Sequence, residues 1–138
     1  MNKSSIVALT LVCILFTAAR ASAHHSFAAE YDNNKTVSVK GVVQKVAWVN
    51  PHAYVYIDVM EQNGKVTTWA FESLSPNALA RQGWTKNSLK VGELVTVDGY
   101  LAKDGKPLAD GSVHANSRQI TTADGRKVFV GSSADNAK

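Results

Sequence analysis

The chain has 138 residues, 15 of them Lys or Arg and 11 Asp or Glu, for a net charge of +4. Two of the basic residues, Lys3 and Arg20, lie in a leading segment that reads as removable, and the remaining lysines are spaced among acids and turns. No basic stripe is left to follow a phosphate backbone, so nucleic acid is not an expected partner. The 115 residues from His24 onward suffice for one modest core but not for two.

Lys3 gives the leading segment a positive start, and Ile6 to Phe16 is an apolar run broken only by Thr10. Ala21-Ser22-Ala23 then supplies an Ala-x-Ala cleavage site, which completes the layout of a secretory signal peptide over residues 1–23. The run is too short to persist as a membrane-spanning helix. The processed chain is therefore expected in the periplasm, with no membrane attachment after cleavage. The one cysteine, Cys13, falls inside the signal, so no disulfide or thiol chemistry is expected after it. Val12 is not the small residue a lipid-attachment site needs before its cysteine.

Residues 24–35 show no sustained period and read as an extended arm ending in the turn-like Asp32-Asn33-Asn34. From Thr36 to Val49 the chain is rich in valine, and Gly41 interrupts the alternation, as a bulge or bend in a long curved strand would. Asn50-Pro51-His52 is turn chemistry. Val55, Ile57 and Val59 then alternate with Tyr54, Tyr56 and Asp58, and Asn63-Gly64 reads as a two-residue hairpin turn. The return strand, Lys65 to Glu72, puts Thr67, Trp69 and Phe71 on one face.

Ser75-Pro76 fits a helix cap followed by proline at the first helical position, with Gly83 just past the end. Trp84 and Leu89 are expected to seal that short helix to the core. Leu94 to Leu101 and Val113 to Thr121 are two further strands, separated by a breaker-rich loop from Lys103 to Gly111. Asp124-Gly125 turns the chain back through Lys127 to Val130, and residues 131–138 read as a disordered tail. The fold class is therefore all-β with one short helix. Five strands with a helix between the third and fourth have the order of a closed OB-fold-like barrel, here spanning residues 36–130. Val55, Ile57, Val59, Val95 and Val97 are its expected interior.

The stretches AHHSFAAEYD, VNPHAYVYIDV, WAFESLSPNALARQGW and VGELVTVDGYLAKDG resemble a family of small exported bacterial proteins known only as a domain of unknown function. The resemblance covers nearly all of the chain after the signal. It implies a periplasmic location and an OB-like barrel, and it carries no activity.

The residues themselves point to metal. Cleavage after Ala23 leaves His24 with a free α-amine beside its own imidazole, a chelate that His25 or His52 would complete as a three-nitrogen set suited to Cu(II). Cleavage at the second Ala-x-Ala motif, Ala19-Arg20-Ala21, would instead place His24 third, also a copper-capable terminus. The alternative is a solvated His24-His25 pair that binds metal incidentally. His52 sits in the loop between the first two strands, at the ligand-binding side of an OB barrel. His114 reads as an exposed strand position. Fully extended, the arm from His24 spans about 40 Å, so its length does not decide which loop it meets.

Tyr54, Tyr56 and Asn50 are the candidate contacts for a flat ligand, since OB barrels stack ligands on strand-two and strand-three aromatics. Trp48, Trp69 and Phe71 are read as packing. Glu30 and Asp32 lie in the arm and Glu72 stands at a strand end, so no acid–base pair is evident. There is no nucleophile elbow, phosphate loop or zinc-type His-Glu-x-x-His motif, which makes an enzyme the minority reading. The leading expectation is a periplasmic binding protein carrying copper. Its rivals are a metal-free module holding a protein or small ligand and, behind that, a copper oxygenase.

Overall fold

The structure is a computed structural model that describes residues 27–131. The signal segment, His24, His25 and the tail from residue 132 lie outside the described residues. Eight elements follow in order: α1 (Phe27–Glu30), β1 (Tyr31–Ala47), β2 (Tyr54–Met60), β3 (Val66–Glu72), α2 (Pro76–Arg81), β4 (Leu94–Ala102), β5 (Val113–Thr122) and β6 (Lys127–Val130).

The strands run in the order β3-β2-β1-β4-β5-β6, and a parallel pairing of β3 with β5 closes the first five into a barrel. β1 serves both sides of it. Its first part pairs with β4 as far as Val42, and the part from Val42 to Ala47 pairs with β2. The register against β2 slips between Val43 and Lys45, two residues beyond Gly41. Gly41 has a different role, because a Cβ there would lie 2.6 Å from the Asp58 carbonyl oxygen. The glycine lets β1 and β2 close up where the barrel turns.

The interior is the alternating set. Val55, Ile57, Val95 and Val97 are buried, joined by Val43, Phe71, Ala115 and Ile120, while Val59 is partly buried against them. Trp69 stacks on Phe71 with ring centroids 5.7 Å apart, and Trp48 packs partly buried against the same core. α2 plugs the barrel with Pro76, Ala78 and Leu79. The Ser75 side chain accepts from the Ala78 N–H at 3.2 Å, the expected cap. Trp84 and Leu89 are buried beside it.

The segment ahead of the barrel is more structured than its sequence suggests. Phe27 in α1 and Tyr31 at the start of β1 lie four residues apart and bury together against Ala102 and Tyr100, which lie on the outer face of β4. That contact accounts for α1 and for the early start of β1. Asp32 to Lys35 loops out of the ladder, which resumes at Thr36, and the Asn34 N–H bonds the Asp32 side chain at 3.0 Å. Among the described residues no helix is long and apolar enough to cross a membrane.

Candidate functional site

Side chains alternate across a strand, so with Val55, Phe71 and Ala115 inside, Tyr54, Glu72 and His114 stand on the outer wall. The ladder places Tyr54 directly opposite Glu72, and the parallel pairing sets Ala70 beside His114 and Glu72 beside Asn116. α1 and Tyr31 then cover this wall. The result is a polar cluster between barrel and N-terminal segment, with the Glu72 side chain only 5% exposed at its centre.

Glu72 receives three donors. His52 Nδ1 lies 2.8 Å from its Oε1. The hydroxyls of Tyr31 and Tyr54 donate to its Oε2 at 2.9 Å and 2.8 Å. An ionised carboxylate only accepts, so the His52 proton sits on Nδ1 and the lone pair on Nε2 is left for a ligand. Tyr31 Oη is also 2.8 Å from His114 Nε2. Its single proton goes to Glu72, so the His114 ring must donate. Protons therefore point inward from His114 to Tyr31 to Glu72. Burying a carboxylate is costly, and three donors on it offset much of that cost. Glu30 completes the cluster, with Oε1 4.0 Å from His114 Nε2.

Burial first, then the neighbouring negative charge of Glu72, pushes the Tyr31 hydroxyl far above the ordinary tyrosine value of 10.0. Tyr54 is raised for the same reasons in the same order. The folded state thus holds these protons where the unfolded chain releases them. Stability from this source is complete below pH 10 and declines as pH rises beyond it. Chemical denaturation of wild type against the Tyr31→Phe/Tyr54→Phe pair should show a steeper alkaline loss for wild type. Parallel losses above pH 10 would contradict this.

The sequence-derived site residues separate into three groups. His24 and His25 lie outside the described residues. His52 and Tyr54 join at Glu72, where Tyr54 serves as a hydrogen-bond donor instead of a stacking platform. Tyr56 points elsewhere, although its ring centroid is 6.3 Å from that of Tyr54. Lys45 Nζ lies 4.1 Å from the Tyr56 centroid, over a cleft of about 410 Å³ that Thr68 and Asp110 also line. Asn50 is exposed in the loop, ahead of a cis bond to Pro51.

Two expectations are corrected. His114 is not an exposed strand position, since its side chain is 10% exposed and bonded to Tyr31. Glu72 is not isolated but is the acceptor around which the cluster assembles. Tyr31 and Glu30 went unrecognised because their segment reads as an arm. The i,i+4 spacing of Phe27 and Tyr31 was the available signal for a docked helical turn.

No curated protein and no solved structure matches this chain. Residues 11–111 match a family of unknown function, DUF6152, and the chain belongs to that family.

Proposed function

We propose that the processed chain is an exported periplasmic binding protein that holds Cu(II) through the amine and imidazole of His24 and Nε2 of His52. The observation that carries this reading is the 2.8 Å contact between Glu72 and His52 Nδ1. A carboxylate behind a histidine fixes its tautomer and ring orientation and raises the basicity of the other nitrogen, the arrangement typical behind a metal-bound imidazole.

Chain geometry supports the same reading. The Phe27 ring centroid lies 5.4 Å from that of Tyr31, whose hydroxyl bonds Glu72. His24 is three residues further back, a span of about 11 Å at most. The docked turn thus narrows the reach of the terminus to the neighbourhood of this cluster. Neutral nitrogen ligands suit Cu(II), and His25 is the alternative partner.

Intact mass and calorimetry on protein recovered from the periplasm test the reading together. The mass should place the first residue at His24, and one Cu(II) should bind tightly. His52→Ala should weaken that binding by about tenfold or more, the scale on which even outer partners of a metal act. Unchanged affinity would remove His52 from the site and leave a terminal His24-His25 chelate. Protein that retains Met1 would sink both export and chelate.

The Tyr56 cleft favours a second reading, a metal-free module for a small ligand or partner protein. Under it, Tyr56→Ala would abolish function while Cu(II) affinity stayed intact.

A further inference from the structure

Across the Glu72 carboxylate from His52, we propose a second metal site, formed by Glu30, Glu72 and His114 and suited to a divalent cation of the Zn(II) type. It uses neither His24 nor His52 and shares only Glu72 with the copper reading, through the carboxylate's other valences. One ligand atom from each of the three residues lies within 4.8 Å of the others. Tetrahedral Zn(II) holds its ligand atoms about 3.3 Å apart at ordinary bond lengths. The set therefore has to close, and Glu30 is the residue free to do it. Its side chain is 34% exposed, against 10% for His114 and 5% for Glu72.

The other two ligands are fixed by the sheet. β3 and β5 run side by side there, with Ala70 opposite His114 and Glu72 opposite Asn116. The backbone of Glu30 is tied down as well, because its carbonyl accepts from the Lys103 N–H at 2.8 Å. A cleft of about 280 Å³, lined by Ala29, Glu30, Ala102, Lys103, Asp104 and His114, leads from solvent to the site.

Charge and valence both favour a cation. Two carboxylates converge here, and among the described residues neither is ion-paired with a lysine or arginine. Lys103 lines the cleft but donates its ammonium to the Ala28 carbonyl. Glu72 offers about four lone-pair positions and three are taken by His52, Tyr31 and Tyr54, which leaves one for an ion. His114 must present Nε2, so its proton moves to Nδ1 with no net proton released, and the ion takes the place of the Tyr31 hydroxyl on that nitrogen. Tyr31 keeps its own proton and its bond to Glu72. One imidazole and two carboxylates, with a fourth position open to water, is a Zn(II)-type set.

The decisive experiment uses processed protein carrying His25→Ala and one extra glycine ahead of His24, which together remove the terminal chelate. Zn(II) calorimetry should give one ion per chain, and Co(II) in its place should show the visible absorption of a four-coordinate ion. Glu30→Gln and His114→Gln should each weaken Zn(II) by about tenfold or more, with the far-ultraviolet circular dichroism unchanged. Glu30→Gln, at a partly exposed position, keeps the test decisive if His114→Gln fails to fold. Binding that ignores both substitutions, or that disappears when the terminus is blocked, overturns the proposal. In the second case the ion belongs to His24, and the copper reading survives on its own.

Discussion

In a His25→Ala background, where no histidine moves into third place, placing one residue ahead of His24 is expected to weaken Cu(II) binding by more than about a hundredfold, beyond what losing a partner behind the ligands costs. The extra residue turns the His24 amine into an amide, so one ligand goes and the chelate ring with the imidazole goes with it. Competition against a chelator of known affinity, on otherwise identical processed proteins, measures the loss. The amine and imidazole must both be unprotonated to ligate, so the intact site should also weaken as pH falls. An affinity indifferent to the added residue would reduce His24 and His25 to a solvated pair. The metal-free module around Tyr56 would then be the better account.

Ile57→Ala is expected to cost about 2–5 kcal/mol of stability, the range for truncating a large aliphatic side chain in a packed core. Ile57 is 0% exposed on β2, in a core that includes Val55, Phe71, Val95 and Val97. A barrel closed on all sides has little freedom to collapse into the vacancy, which argues for more than the bare transfer cost of the lost atoms. Urea denaturation at fixed pH gives the value. Val59→Ala, at a partly buried position further along the same strand, should cost clearly less. Equal losses at the two positions would contradict a core centred on Ile57.

The hairpin between β2 and β3 shows how local chemistry reaches the site. Asn63-Gly64 signals a turn, and read as a two-residue loop it would set Glu72 opposite Val55. In the structure the Glu61 N–H bonds the Lys65 carbonyl at 2.8 Å, so Gln62, Asn63 and Gly64 together form a three-residue loop. Gly64 takes the positive φ that such loops end on, at 79°. That single added residue moves the ladder by one, and Tyr54 meets Glu72. A shift of one decides which side chains can touch, because strands alternate with a period of two. The turn was legible, but its length was not.

The sequence by itself determined the order of elements along the chain, the proline-started helix and the alternating interior, because these follow from periodicity and from residues with narrow backbone preferences. The place of His52 on the loop between the first two strands was legible for a similar reason, since it follows an Asn-Pro turn. The site around it was decided only by tertiary structure. Tyr31, His52, Tyr54, Glu72 and His114 come from separate parts of the chain, and they meet because β1, β2, β3 and β5 close into a barrel on whose outer wall the first turn docks. Sequence spacing carries the direction of a side chain within one element. The distance between elements depends on register, closure and burial, and those belong to the whole molecule.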